Sequence, residues 1–223
     1  MRTVEIVAEG AAIHGDLVVP KPSAAVIVFA HGSGSSRHSP RNRRVAERLQ
    51  RDGLATLLLD LLTEEEGWLD DRTSELRFDI DLLSDRLAGT VTWLEREPEL
   101  RRLGVGFFGA STGAAGALVA AAGLGERIGA IVSRGGRPDL AGDHLPAVRA
   151  PTLLIVGGRD DVVLGMNRRA SARMRCERRI EIVPGATHLF EEPGALDRVA
   201  TLAAEWFGTY LPRTTAGDGR RTG

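Results

Sequence analysis

The sequence of 223 residues predicts one α/β domain, with a mostly parallel central sheet, an antiparallel N-terminal lead-in and helices on both faces. The first observation behind this is a set of short, wholly apolar runs bounded by Gly or Asp, which are typical of strands buried on both faces. The second is a helical pattern between successive runs, so that strand and helix alternate. Since the sequence shows no internal repeat and no linker-like break, we expect a single domain over residues 1–211 and a disordered tail over 212–223.

The first two predicted strands form the antiparallel lead-in. Residues 3–9 and 12–19 both alternate apolar with polar side chains, which is typical of half-exposed strands. The dipeptide Glu9-Gly10 between them predicts a hairpin turn. Six further strands follow, of which the last alternates as expected for a strand near a sheet edge: 24–30, 54–59, 103–108, 129–132, 152–157 and 179–183.

Helices are predicted between these strands. Ser39 and Pro40 suit the N-cap and first turn of a helix that Gly53 closes. Apolar residues then step by three or four over residues 76–94, which predicts an amphipathic helix that stops by Pro98. The remaining predicted helices cover residues 112–122, 163–174 and 196–206.

Composition excludes several classes of function. The 29 basic and 30 acidic side chains give a net charge of −1, which argues against a broadly basic nucleic-acid binder. The single cysteine, Cys176, forms no internal disulfide and offers no cysteine cluster for zinc. No apolar run approaches the ~18 residues of a membrane helix, and the N-terminus lacks a signal-peptide core. We therefore expect a cytoplasmic protein with no membrane partner, no metal and no cofactor.

The segment Gly109-Ala110-Ser111-Thr112-Gly113 carries the sharpest chemical signal. It follows a predicted strand and opens a helix of small residues. A serine on so sharp a turn needs neighbours without bulk, and the two glycines meet that need. The helix N-terminus favours developing negative charge. Ser111 is therefore the predicted nucleophile, and a plain glycine-rich turn is the alternative.

A serine nucleophile needs a base and a group that orients the base. His188 lies in the loop after the last strand, and Asp160 and Asp161 follow the strand before it. The carboxyl ends of parallel strands share one edge of a sheet, so these side chains are expected to meet Ser111 there. The order Ser, Asp, His is compatible with a catalytic triad in which either aspartate orients His188. The alternatives are a helix-capping role for His188 and ordinary N-capping for the aspartates.

The run His31-Gly32-Ser33-Gly34 follows the strand over 24–30 at the same edge. Its glycines let backbone N–H groups approach a substrate, so the N–H groups of Ser33 and Thr112 are the predicted oxyanion hole. A flexible loop is the alternative.

These four motifs, taken in order over residues 24–209, resemble the α/β-hydrolase superfamily. They are most similar to its compact dienelactone-hydrolase-like branch, which includes domains fused to phosphoribosyltransferases. The run from Phe29 to Asn42 and the segment from Gly185 to Gly194 carry the detailed resemblance. The family pattern Gly-Gly-x-Asp implies that the acid is Asp160, the first aspartate after the glycines.

The sequence departs from that branch at the nucleophile. Dienelactone hydrolases proper carry a cysteine at the turn where this chain has Ser111, which favours hydrolysis of ordinary esters over dienelactones. The short stretch between the strands at 129–132 and 152–157 leaves no room for a lid, so we expect a small, open pocket and a short substrate.

Several polar residues are predicted to line this pocket. His31, Arg37 and Arg134 are candidate substrate contacts, and Arg134 with Arg137 would select acidic substrates. The acidic run Glu64-Glu65-Glu66 is expected to be a loop at the same edge. Arg41 and Asn42, near the start of a helix, either bind an anionic group or form a solvated helix N-terminus.

The sequence thus predicts a serine hydrolase that cleaves a small carboxylic ester or thioester through an acyl-enzyme. Ser111 attacks, His188 transfers the proton and Asp160 orients His188. Two alternatives stay open at this point: a peptidase or acyltransferase with the same triad, and a non-catalytic accessory module that has kept the fold.

Overall fold

A computed structural model describes residues 1–212 of the chain, so that the predicted tail, apart from Pro212, lies outside the described residues. Within this range the chain forms eight strands and six α-helices. The strands are β1 (Arg2–Ala8), β2 (Ala11–Val18), β3 (Ala25–Ala30), β4 (Ala55–Leu59), β5 (Gly104–Ala110), β6 (Ala130–Arg134), β7 (Thr152–Gly157) and β8 (Arg178–Val183). The helices are α1 (Pro40–Arg51), α2 (Glu64–Thr73), α3 (Ile80–Arg96), α4 (Thr112–Leu124), α5 (Asp161–Arg173) and α6 (Ala195–Tyr210).

All eight strands join one sheet in the order β1-β2-β4-β3-β5-β6-β7-β8. The pairs β1–β2 and β2–β4 are antiparallel, and every pair from β4–β3 to β7–β8 is parallel. This arrangement confirms the predicted α/β fold with its antiparallel lead-in. It also confirms the hairpin at Glu9-Gly10 and the edge position of the last strand.

Side chains of the central strands pack alternately into two cores, one on each face of the sheet. In β3, Val26, Val28 and Ala30 face the core beneath α3 and α4, whereas Ala25, Ile27 and Phe29 face the core beneath α1 and α6. A strand that contributes to both cores needs apolar residues at every position. This explains the uninterrupted apolar runs in the sequence.

Two helix predictions need correction. The acidic run Glu64–Glu66 is not a loop but the first turn of α2, where Thr63 accepts a hydrogen bond from the Glu66 N–H and Glu66 accepts one from the Thr63 N–H. Acidic side chains in a first turn also stabilise the helix through their favourable interaction with its dipole.

The helix predicted over 76–94 begins only at Ile80, because Asp79 accepts a hydrogen bond from the Leu82 N–H and caps the helix there. Residues Leu76–Phe78 form a 3₁₀ turn instead.

Candidate active site

Ser111 occupies a strained turn between β5 and α4, with φ 49° and ψ −120°. Positive φ is uncommon for a residue with a side chain and persists only where the surroundings hold it. The two flanking positions require glycine because a side chain there would collide with neighbouring backbone atoms, and not because the backbone needs to be flexible. A Cβ at Gly109 would lie 2.4 Å from the Cα atom of Ala114, and one at Gly113 would lie 2.3 Å from the carbonyl oxygen of His31. The Gly-x-Ser-x-Gly pattern therefore reflects close backbone packing around Ser111.

His188 and Asp160 are joined by a hydrogen bond of 2.7 Å between Nδ1 and Oδ2. The side chain of Asp160 is 14% exposed and that of His188 is 40% exposed, so the carboxylate is shielded while the imidazole reaches solvent. Because Nδ1 is bound to the carboxylate, Nε2 is the nitrogen left to accept a proton. The neighbouring Asp161 is exposed and begins α5.

Backbone contacts hold the loops of Asp160 and His188 together. The N–H of Arg159 donates to the carbonyl of Ala186 at 2.9 Å, and that of Gly158 donates to Val183 at 2.8 Å. A Cβ at Gly157 would lie 2.5 Å from the carbonyl oxygen of Ala186. The glycines before Asp160 thus let the two loops pack closely enough for the carboxylate to meet the imidazole.

Glu192 is a supporting residue that the sequence did not single out. Its Oε1 accepts a hydrogen bond of 3.0 Å from the N–H of Thr187, the residue before His188. This bond lowers the pKa of Glu192. Nothing in the residue pattern distinguishes Glu192 from Glu191, whose carboxylate pairs with Arg41 at 3.1 Å.

Ser111 and His188 line one cavity of about 200 Å³, which we call the Ser111 pocket. Between β6 and β7, where the sequence leaves no room for a lid, residues Pro138–Ala147 form 3₁₀ turns. The other residues that line the pocket are Gly32, Ser33, Ser35, Ser39, Arg41, Asn42, Ala110, Arg134 and Leu189. The structure thus brings the predicted nucleophile and the predicted base to the same small cavity.

The two predicted oxyanion donors are Thr112, which follows Ser111 in the chain, and Ser33, on the loop after β3. Thr112 is the first residue of α4, so its N–H has no partner within the helix. Ser33 lines the Ser111 pocket and follows Gly32, where a Cβ would lie 3.0 Å from the Cβ of Ser111. The loop after β3 therefore packs directly against the serine, with a turn closed by the Ser35 N–H and the Gly32 carbonyl at 3.2 Å.

His31 and Arg37 were predicted to line the pocket, but neither lines the Ser111 pocket, and protein groups bind both side chains. His31 Nδ1 donates to the Gly32 carbonyl at 2.9 Å, while Nε2 accepts from the Leu61 N–H at 3.1 Å. Burial lowers the pKa of His31, which keeps the ring neutral as this pair of bonds requires. The Arg37 guanidinium is paired with Asp60 and lies 3.5 Å from Asp16.

The two arginines after β6 have different surroundings. Arg137 makes a two-pronged ion pair with Asp139 and does not line the Ser111 pocket. Arg134 is 7% exposed, lines the pocket and has no carboxylate partner among residues 1–212. Its one side-chain hydrogen bond in that range is a long one of 3.4 Å to Asn42 Oδ1, and its guanidinium lies 5.9 Å from the ring centre of Phe190.

A larger groove of about 800 Å³ lies on the other side of the loop after β3, against α2. Ser33 and Thr112 line it, but Ser111 and His188 do not. Across the described part of the chain, no three His, Cys, Asp or Glu side chains are grouped closely enough to hold a metal ion. Over the same residues, no helix is both long and apolar enough to cross a membrane.

Solved structures with the same architecture include a dienelactone hydrolase from Anabaena variabilis. It is 56% identical to this chain and superposes with a TM-score of 0.93, over 95% of this chain and 98% of the other. An α/β serine hydrolase without a lid from Xanthomonas campestris has a TM-score of 0.77 at 18% identity, over 96% of each chain. At that identity the second likeness concerns the fold alone.

A curated relative from Mycobacterium tuberculosis carries a different name. It is described as a phosphoribosyl transferase and is 56% identical over 208 residues, which are 93% of this chain. The chain spans only 46% of the length of that relative. The model of the dienelactone hydrolase family matches residues 12–209, which include Ser111, Asp160 and His188. This chain belongs to the dienelactone hydrolase family.

Proposed function

We propose that this protein is a serine hydrolase that cleaves small carboxylic esters or thioesters through an acyl-enzyme. One observation carries the proposal: His188, bound to Asp160 at 2.7 Å, shares a small pocket with Ser111 on its strained turn. A nucleophile, a base and a carboxylate that orients the base form the minimal set for acyl transfer. Membership of a hydrolase family supports the same conclusion.

The reaction begins when Ser111 Oγ attacks the carbonyl carbon and its proton passes to His188 Nε2. The oxyanion of the tetrahedral intermediate accepts hydrogen bonds from the Ser33 and Thr112 N–H groups, each contributing ~3 kcal/mol to transition-state stabilisation. The intermediate collapses as His188 returns the proton to the leaving alcohol or thiol. Asp160 keeps Nδ1 protonated and stabilises the imidazolium throughout.

The second half of the reaction repeats these roles with water as the nucleophile. Water gives a proton to His188 and adds to the acyl carbon, and the same N–H groups bind the oxyanion. Ser111 Oγ then leaves with the proton from His188, and the carboxylic acid is released. No other reactant is required for the atoms to balance.

His31 and Arg37 serve as positioning residues in this proposal. His31 ties Gly32, on the oxyanion side, to the backbone of Leu61. Arg37 ties the same loop to Asp60, which also accepts the Arg37 N–H at 2.7 Å. Both therefore fix the position of the Ser33 N–H rather than contact substrate.

A panel of esters, thioesters and amides, with the Ser111→Ala variant as its control, tests the proposal. We expect turnover of short-chain esters and thioesters by the wild type and loss of that turnover in the variant. Turnover of peptide amides by the wild type, lost in the variant, would identify a peptidase instead. Turnover that persists in the variant would refute the role of Ser111.

One observation favours a second candidate, an accessory module. The relative described as a phosphoribosyl transferase is about twice the length of the matched segment, so the domain occurs there beside other sequence. A module kept only for association needs no reactive serine. A fluorophosphonate that fails to label Ser111 in folded protein would support this candidate.

A further inference from the structure

The larger groove against α2, which we call the α2 groove, adjoins the Ser111 pocket. Thr112, one of the two predicted oxyanion donors, lines the α2 groove, whereas His188 lines the Ser111 pocket and not the groove. A substrate carbonyl held by the Ser33 and Thr112 N–H groups therefore lies where the two cavities meet. Five residues line both cavities: Gly32, Ser33, Ser35, Ser39 and Arg41.

The proposed reaction assigns the two sides of the ester bond to different cavities. In the tetrahedral intermediate the reacting carbon is bonded to Ser111 Oγ, the oxyanion, the leaving oxygen and the acyl chain. The leaving oxygen must lie next to His188 Nε2, which returns the proton to it, so the leaving group occupies the Ser111 pocket. The acyl chain points away from His188, and the α2 groove is the cavity that Thr112 lines without His188.

The two cavities differ in size. The Ser111 pocket has a volume of about 200 Å³, and the α2 groove one of about 800 Å³. The side of the leaving group is therefore the restricted one, and the acyl side has room for a bulky group.

The charges along the α2 groove leave no cation free for a ligand. Four carboxylates line it against three guanidinium groups. An anionic acyl group would find no unpaired positive charge there, so the groove favours an uncharged one. Each of the three arginines is paired with a carboxylate: Arg37 with Asp60, Arg41 with Glu191 at 3.1 Å, and Arg77 with Asp70 at 2.7 Å.

The wall of the α2 groove combines apolar side chains with hydroxyl groups. Leu61, Leu62 and Leu83 supply the apolar part. Thr63 Oγ1 accepts the Glu66 N–H at 3.2 Å, and Ser36 Oγ accepts the His38 N–H at 3.2 Å. A hydroxyl whose oxygen accepts such a bond keeps its own proton to donate. An acyl group with an apolar body suits this wall, and a hydrogen-bond acceptor on it could meet a hydroxyl.

We propose that the α2 groove binds the acyl group, so that the substrate joins a bulky, uncharged acyl group to a small leaving group. This inference rests on the proposed function for the reacting bond. Gly67, in α2, is the specificity-determining position in this proposal. It lines the groove, and a Cβ there would meet nothing within 4 Å, so a larger side chain can be placed in the groove without a clash at its base.

The kinetic test compares two isomeric esters, ethyl 3-phenylpropanoate and 3-phenylpropyl acetate, with acid release followed by base uptake. They carry the phenyl ring on the acyl side and on the alcohol side, respectively, and their leaving alcohols have similar basicity. We expect wild-type kcat/KM to favour ethyl 3-phenylpropanoate at least ~tenfold, because only its ring is buried in the α2 groove. Ethyl 3-(4-carboxyphenyl)propanoate, whose acyl group is anionic, should be a poorer substrate than the uncharged ester.

Gly67→Phe fills the α2 groove and tests its role. We expect this variant to lower kcat/KM for ethyl 3-phenylpropanoate ~tenfold more than that for 3-phenylpropyl acetate, since the new ring takes the space of the acyl group. Gly123→Phe is the matched control. Gly123 is also a helical glycine with nothing within 4 Å of a Cβ, but it lines neither cavity, so the preference should remain.

A binding test separates failure of the acyl site from failure of the proposed function. The uncharged amide 3-phenylpropanamide is added at millimolar concentration to the Ser111→Ala protein, and the melting temperature is followed. We expect the amide to raise it, because a ligand that binds only the folded state stabilises that state. Gly67→Phe in the same background should remove the rise.

Equal wild-type kcat/KM on the two isomers, or a preference for 3-phenylpropyl acetate, would overturn the acyl site. An equal loss on both isomers in Gly67→Phe, or a preference for the anionic ester, would do the same. If neither isomer is hydrolysed but the amide stabilises the protein and Gly67→Phe removes the effect, the acyl site stands and the reaction assignment fails. If Gly67→Phe does not fold, Gly67→Leu and the wild-type measurements decide.

Discussion

Replacing Gly113 with alanine tests whether close packing around Ser111 sets the geometry of its turn. The new Cβ would lie 2.3 Å from the His31 carbonyl oxygen and 2.5 Å from that of Ala30, whereas real Cβ contacts are essentially never shorter than 3.0 Å. Both obstacles are backbone atoms, so α4 and the loop after β3 must move apart. Overpacking of this kind costs ~1–3 kcal/mol, and the preference of a helix for alanine over glycine returns up to ~1 kcal/mol.

We therefore expect Gly113→Ala to lower the free energy of unfolding by ~2 kcal/mol, measured by urea denaturation. The same shift separates Ser111 from the Ser33 N–H by a good fraction of 1 Å, so kcat/KM for p-nitrophenyl acetate should fall ~10- to 100-fold. Gly123→Ala in the same helix is the control. A Cβ at Gly123 meets nothing within 4 Å, so that change should stabilise the protein by ~0.5–1 kcal/mol and leave activity unchanged. Wild-type activity and stability in Gly113→Ala would show that backbone packing at Gly113 does not set the geometry of Ser111.

Two further predictions concern the residues around Ser111. Asp160→Asn should lower kcat by ~10⁴-fold, because the amide no longer holds Nδ1 protonated, whereas Asp161→Asn, at an exposed site, should change it only a few-fold in the same ester assay. Equal effects of the two would contradict the assignment of the acid. Burial lowers the pKa of His31 below its usual value of 6.5, so the unfolded chain takes up a proton at a higher pH than the folded chain does. The stability that neutral His31 provides above pH 6.5 is therefore lost as the pH falls below that value. Urea unfolding should show this loss, at most ~1.4 kcal/mol per pH unit, and His31→Gln should reduce it; an unchanged slope would count against the neutral ring.

The general architecture could be predicted because it follows from local patterns. Apolar runs without a polar face are needed by strands that contribute to two cores, and the sequence shows them directly. The order of the strands could not be predicted, since the placement of β4 between β2 and β3 depends on contacts distant in sequence. The helix α2 had a readable signal, the Thr63-x-x-Glu66 capping box, but its apolar residues Trp68 and Leu69 are exposed and give no buried stripe.

In the site, as in the fold, features that depend on neighbouring residues could be predicted from the sequence, whereas features that depend on contacts between distant residues could not. The sequence around Ser111 predicted its turn because the spatial constraint falls on residues two positions away. Asp160 and Asp161 could not be separated from residue patterns alone, because which of two adjacent aspartates faces His188 depends on how the loop packs. The contrast between Arg134 and Arg137 likewise depends on burial, although Asp139, two residues after Arg137, was a visible partner.

In the proposed reaction Ser111 forms a covalent acyl intermediate, and mass spectrometry of acid-quenched protein detects such an intermediate. The protein is mixed with p-nitrophenyl acetate, quenched during turnover and digested. We expect a peptide that carries one acetyl group on Ser111, and a larger steady-state amount of this species in a variant whose deacylation is slowed. The adduct should be absent from Ser111→Ala. Continued hydrolysis with no adduct at Ser111, or an adduct on another residue that turns over at the rate of hydrolysis, would show that Ser111 is not the nucleophile.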